Sequence, residues 1–362
     1  MGISNTSAEY LIQEAARGVP FGDVLTLGRQ NLLASPIILH QMLQQYGCEG
    51  ARLPLPEFQS RICQAPADSD RNTPYYADGL LKLLGAKTLS AMDVSTFEGA
   101  NIIHDLNLPI QEDLYEKFDL VLDGGLLEHV FNFPLAIKNC MQMLKAGGRF
   151  VLITPANNLF GHGFYQFSPE LFYRIFSQEN GFEIERIVAV EMDAYPVFLT
   201  GGIYSWIEEA GKWYDVVDPH QIGGRVTLRN ANPVYLHITA RRTQVKEMFS
   251  HTPQQSDYAQ IWNEYETNQA IQQSEAKPEI APVPAPSSTP LSPSWKAKLK
   301  STIYARMDYY QNLHLRYSVL PKIVRLLFPK YLAESSKIKW TSSFHNKKFF
   351  KPVESRKFDR PE

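Results

Sequence analysis

Asp93, Asp105 and Asp123 each follow a short apolar run, in AMDVS, IIHDLNLP and FDLVLDGG, and Gly28 closes a fourth such run in GDVLTLG. A carboxylate at the end of an apolar segment can accept hydrogen bonds from adjacent hydroxyls. A glycine at such a place lets backbone approach a ligand with no side chain between them. After Asp123 the chain continues GGLLEHV, which brings Gly124, Gly125, Glu128 and His129 close together, and His162 lies in a second glycine-flanked stretch, ANNLFGHGFYQFSPE. An imidazole, with an unperturbed pKa of about 6.5, is suited to taking a proton near neutral pH, so His129 and His162 are the candidate catalytic bases. Each also has an ordinary reading: His129 as a packed residue at a helix start, and Phe160, Phe164 and Phe167 around His162 as caps on a core. Glu128 could orient either ring or simply favour the N-terminus of a following helix.

These residues need a frame to hold them. GDVLTL reads as a buried strand, followed by a helical pattern through LLASPIILHQMLQQYG that Pro36 interrupts. Residues 48–74 read as an irregular insertion. ADGLLKLLG predicts a helix, after which strands lead into Asp93, Asp105 and Asp123. Asn132 and Pro134 open a further helix with Phe133, Ile137, Cys140 and Leu144 on one face, which Gly147 and Gly148 are expected to end. RFVLITP, GFEIERIVAVE and VYLHITARR predict three more strands, with a helix begun by Ser168 and Pro169 between the first two. Strands alternating with helices predict a parallel α/β sheet covered on both faces. Ligands of such sheets lie at the carboxyl ends of the strands, where the acids fall. Residues 193–232, with Tyr195, Trp206, Trp213, Tyr214 and Arg225, form a long connection that reads either as a lid or as a surface excursion.

The 362 residues are 44% hydrophobic and 20% charged, as a globular chain should be. Cys48, Cys63 and Cys140 lack metal-ligand spacing, so reduced thiols and no metal site are expected. Absence of a long apolar run or a secretory pattern predicts a cytoplasmic protein. A dinucleotide site would need G-x-G-x-x-G after the first strand, and none is present.

The order VLTLG, AMDVS, HDLNLP, FDLVLDGGLLEHV, helix, GGRFVLITP resembles the class I S-adenosylmethionine-dependent methyltransferases, over roughly residues 20–242. The resemblance implies a Rossmann-like, seven-stranded, mostly parallel sheet with helices on both faces, in which VYLHITARR is the antiparallel last strand. It implies S-adenosylmethionine as cofactor, with Asp93 on the ribose, Asp105 and Leu106 at the adenine, and Gly28, Asp123 and Gly124 at the methionine end. The implied activity is methyl transfer, and the aromatic, histidine-bearing loop suggests a small-molecule or glycan-related acceptor. The sequence departs from the family at the first strand's end, where Thr26, Gly28, Arg29 and Gln30 replace the usual acid and glycines.

The expected organisation is a methyltransferase-like domain over residues 1–245, a polar and Pro-rich linker over 246–294, and a basic helical extension over 295–362. That extension holds 16 Lys and Arg against 5 Asp and Glu, a balance of +11, while the whole chain carries −2. VLPKIVRLLFPKYL within it suggests peripheral contact with an anionic membrane surface. No recognised reading module accompanies the charge, so nucleic acid is not the expected partner. The rival function is a non-catalytic scaffold that keeps the fold and docks on anionic partners through this tail. The sequence does not indicate an oligomeric state.

Overall fold

The computed structural model describes residues 2–63, 75–96, 98–198, 204–222, 226–275, 339–341 and 350–353. In chain order its elements are β1 (Gly2–Ile3), α1 (Asn5–Ala16), β2 (Gly22–Leu27), β3 (Asn31–Leu32), α2 (Pro36–Gln45), α3 (Leu55–Ile62), α4 (Asp78–Leu83), β4 (Ala86–Asp93) and β5 (Ile102–Ile103). They continue as β6 (Phe118–Asp123), α5 (Phe133–Met143), β7 (Leu144–Asn157), α6 (Pro169–Ile175), β8 (Phe182–Phe198), β9 (Tyr204–Val216), α7 (Pro219–Ile222), β10 (Val226–Leu228), β11 (Val234–Arg242), α8 (Ser256–Glu275), β12 (Lys339–Thr341) and β13 (Phe350–Pro352). Two compact units result, Met1–Tyr258 with Lys339–Glu362 and, separately, Ala259–Ile338.

The main sheet has the order β13-β9-β8-β11-β7-β6-β2-β4-β5. From β7 to β5 all neighbours are parallel, and β11 runs antiparallel between β7 and β8. The expected Rossmann-like sheet is therefore present, with VYLHITARR as its antiparallel strand. It has nine strands where seven were expected, because β9 pairs antiparallel with β8 and β13 with β9. The connection read as a lid or excursion is thus largely a sheet strand, with Trp213 buried in the core. Arg225 and the side chains of Tyr195 and Trp206 lie outside the described residues.

Alternation along the strands splits the apolar side chains between two cores, one on each face. Leu120, Leu122 and Val151 pack with α1, α2, α3 and α4, whereas Val121, Phe150 and Leu152 pack with α5 and α6. Phe133, Ile137, Cys140 and Leu144 are all buried, as their spacing predicts. Pro36 does not interrupt its helix but starts it, because a first-turn residue has no helical partner for its N–H. The helix preceding Gly147 ends four residues earlier, at Met143, and both glycines belong to β7. A Cβ on Gly148 would lie 3.1 Å from the carbonyl oxygens of Phe118 and Asp119, so its bareness serves close strand approach. The insertion contains α3, with Phe58 and Ile62 buried; residues 64–74 lie outside the described residues. The polar start of the expected linker forms the helix α8 from Ser256. Within the extension expected to be helical, the described pieces are strands, β12 paired with β10 and β13 with β9. The linker's Pro-rich part, residues 277–294, and VLPKIVRLLFPKYL lie outside the described residues. The three cysteines are free thiols. Among the described residues no helix is long and apolar enough to cross a membrane.

Candidate functional site

Register places the strand tips side by side. Leu27 pairs with Met92 on one flank and Asp123 on the other, Asp93 pairs with Ile103, and Asp123 with Leu152. Gly28 extends this row, donating its N–H to Met92 O at 2.7 Å, and its φ of +65° is one that a side chain would strain. Asp93 is half-buried at its tip, and Oδ1 accepts the Val94 N–H at 2.6 Å. Asp105 is exposed two residues beyond β5. Its carboxylate accepts the backbone and side-chain N–H groups of Asn107, which hold its pKa below the ordinary carboxylate value. Leu106 turns its side chain into the core. What it offers this edge is backbone.

Asp123 is fully buried, and its carboxylate faces its own turn. It accepts N–H groups from Leu126 at 2.7 Å, Gly125 at 3.2 Å and Leu127 at 3.3 Å, which ties down the 3₁₀ turn Leu127–His129. Burial raises its pKa in spite of these three bonds. The acid assigned to the methionine end is thus spent on shaping the Glu128–His129 turn. Beside it, Gln30 is buried, with Nε2 donating to Leu27 O at 2.7 Å and Gly28 O at 3.4 Å. These two carbonyls fix the amide's orientation, so the atom left without a partner is Oε1. That oxygen occupies the space where a Cβ on Gly124 would stand, at a clashing distance. Gly124 is bare because Gln30 fills its side-chain volume.

The strongest constellation lies one turn further on. Glu128 is fully buried, and neither carboxylate oxygen has a hydrogen-bond partner among the described residues. Loss of hydration raises its pKa well above the carboxylate range, and the Asp123 charge adds to this. The buried Thr154 hydroxyl pulls the other way without reaching hydrogen-bond geometry. Of the two buried acids, Asp123 has three donors that favour its ionised form and Glu128 has none, so the shared proton belongs on Glu128. His129 Nε2 and His162 Nε2 lie 4.0 and 3.7 Å from Glu128 Oε1, and the rings are 5.5 Å apart. Burial, joined for His129 by the charge of His162, lowers both imidazole pKa values, so each ring offers a lone pair at neutral pH.

The loop after β7 is pinned to this turn. Phe164 and Tyr165 donate their N–H groups to Glu128 O at 2.8 and 3.2 Å, and the Tyr165 hydroxyl bonds Phe131 O at 2.6 Å. Gly163 permits the approach, since a Cβ there would lie 2.9 Å from Glu128 O and 3.2 Å from His129 Nδ1. The loop aromatics divide: Phe167 joins the core, whereas Phe160 is wholly exposed and Phe164 and Phe131 largely so. The convergence of His129 and His162 on Glu128 escapes sequence reading because 33 positions separate the histidines. The available signal was the pair of glycines around His162. Cavities of about 330 and 250 Å³ lie elsewhere, lined by residues such as Gly47 and Gly85, or Val19 and Arg149, toward the amino-terminal ends of the strands.

The sequence matches no protein-family profile and no curated protein. Among solved structures the chain is similar to TehB from Haemophilus influenzae, at 14% identity and a TM-score of 0.30 over 64% of this chain. It spans 61% of TehB's length. It is also similar to 1,6-didemethyltoxoflavin-N1-methyltransferase from Burkholderia thailandensis, solved with S-adenosylhomocysteine, at 12% identity and a TM-score of 0.26 over 66% of this chain and 79% of that one. A third similar structure is a SAM-dependent methyltransferase from Thermotoga maritima, at 14% identity and a TM-score of 0.28 over 66% of this chain and 90% of that one. Likeness this distant leaves the argument for function to the residues at the strand tips.

Proposed function

We propose that this chain transfers a methyl group from S-adenosylmethionine to a small-molecule or glycan-related acceptor at the carboxyl edge of its sheet. The observation that carries the reading is the meeting, along one row of strand tips, of a half-buried Asp93 carboxylate and a Glu128–His129–His162 cluster. The residues suit the cofactor in three respects. Asp93 makes one local bond and keeps acceptor capacity for ribose hydroxyls. Gly28 leaves its backbone bare beside it. Gln30 Oε1 is a buried acceptor without a partner, and a cationic amine such as that of the methionine end would satisfy it. In this reading Gln30 serves where related enzymes carry an acid.

The cofactor supplies an electrophilic methyl group. The protein's part is to align the acceptor and receive its proton. His129 or His162 takes that proton at Nε2, both rings being neutral at physiological pH. Phe131, Phe160 and Phe164 present apolar faces beside the histidines, suited to the C–H face of a sugar or to a flat ring. Titration calorimetry of the full chain with S-adenosylmethionine tests the reading: a dissociation constant of about 100 μM or tighter, near −5.5 kcal/mol, is expected. No heat at millimolar cofactor would sink it and leave the scaffold reading, in which the fold docks on anionic partners.

A further inference from the structure

Glu128 is a carboxyl with both oxygens buried and, among the described residues, without a hydrogen-bond partner, a costly state for a polar group. A ligand entering the site would satisfy it. Two imidazole nitrogens face Oε1, His162 Nε2 at 3.7 Å and His129 Nε2 at 4.0 Å, and the three ligand atoms all lie within 4.8 Å of one another. Both imidazoles are electron-pair donors, and the carboxyl becomes one when a cation displaces its proton, so the three could share one ion.

We infer that Glu128, His129 and His162 form a binding site for a divalent first-row transition ion, a two-histidine, one-carboxylate set that leaves coordination positions open toward solvent. Ligands about 2.1 Å from an ion in tetrahedral geometry stand roughly 3.4 Å apart, so binding requires the separations of 3.7 and 4.0 Å to Glu128 to shorten by a few tenths of an ångström and the widest one, at most 4.8 Å, by no more than about 1.4 Å. The half-exposed histidine side chains can supply that by rotation, while Glu128 stays fixed by its buried surroundings. Two imidazoles with one carboxylate favour manganese, iron, cobalt or zinc over magnesium or calcium, which prefer all-oxygen sets. The site is also built from behind: Gly163 brings the loop against Glu128, and Asp123 fixes the turn that carries Glu128 and His129.

Phe131 and Phe164, exposed and packed edge to face, follow His129 and His162 by two residues each. The ion's use, though not its binding, rests on the methyl-transfer reading. An acceptor hydroxyl bound to the ion would lose its proton to solvent more readily, and the two imidazoles would then act as ligands instead of bases.

The test is binding of Co²⁺ to the purified full chain, followed by its visible absorption and by calorimetry without S-adenosylmethionine. One strong site with a ligand-field spectrum is expected. Glu128→Gln and His162→Ala should each weaken it at least tenfold while the melting temperature stays close to the parent's. Absence of a spectrum at millimolar Co²⁺, or one that persists unchanged in both variants, overturns the inference. Should cobalt bind as expected while S-adenosylmethionine gives no heat, the ion site stands and the methyl-transfer reading falls.

Discussion

Asp123 offers the sharpest test of how this edge is built, because ligand contact and turn shaping predict opposite outcomes. Its carboxylate accepts three backbone N–H groups, from Leu126, Gly125 and Leu127. Bonds to a charged group contribute about 1.5–3 kcal/mol each, so three amount to roughly 5–9 kcal/mol. Burying the carboxylate takes back several kcal/mol of hydration, so removal should cost a net of about 2–4 kcal/mol. For a domain of this size that is a fall of about 4–16 °C in melting temperature, which differential scanning calorimetry of Asp123→Ala would read. Asp123→Asn provides a milder probe, since it keeps an acceptor for Leu126 and Gly125 and gives up the longer bond from Leu127. Its loss should be about 1 kcal/mol, with affinity for S-adenosylmethionine within a few-fold of the parent. The reasoning fails if Asp123→Asn melts like the parent yet binds cofactor tenfold more weakly, for then the carboxylate reads the ligand and not the turn.

Asp93→Ala should show the reverse pattern: at least a tenfold rise in the cofactor dissociation constant by calorimetry, from loss of one or two bonds of about 1.5–3 kcal/mol, with little change in the apo melting temperature. His237, packed between Tyr10 and Trp213, has its pKa pushed down to about 3, mainly by burial and secondarily by the Arg186 charge. Its unfolded form takes up a proton near pH 6.5 and its folded form does not, so stability should fall as pH drops from about 6.5 towards 3, by up to about 1.4 kcal/mol per unit. Urea titrations across that range should show this limb in the parent and a flatter one in His237→Phe. Deleting residues 295–362 removes β13 with its buried Phe350, so the deletion should melt lower but still bind S-adenosylmethionine. Sedimentation with anionic vesicles at low salt should be lost with the deletion; a full chain that never sediments excludes the membrane role.

Much of the frame was legible because buried parallel strands announce themselves. VLTL, FDLVLD and RFVLITP are apolar through both faces, and each stops at a polar residue or glycine that marks the sheet edge. The strands that escaped are those whose pairing their own residues do not advertise. β9 contains EEAGKWYD, and β13 is three residues inside a basic tract. Their partners, not their composition, make them strands. Gly147 and Gly148 illustrate a second limit, since a helix terminator and a close-packed strand glycine look alike in sequence. At the site, the tip acids could be located but their roles could not. Asp93 and Asp123 occupy equivalent places in sequence, and only burial and hydrogen bonding separate the half-buried acid with one local bond from the buried acid folded back onto its own turn.

β13 joins its partner across 134 positions, Phe350 beside Val216. At a synthesis rate of about 10 residues per second, the ribosome delivers that strand roughly 13 s after the one it covers. Through that interval the outer side of β9 is an open antiparallel edge, the kind of surface on which unrelated nascent chains pair. The cell therefore holds a nearly complete sheet with an unfinished border for longer than the sheet itself needs to form. A chaperone that recognises extended backbone has a defined window in which to act, and a translation pause placed before residue 350 would lengthen it.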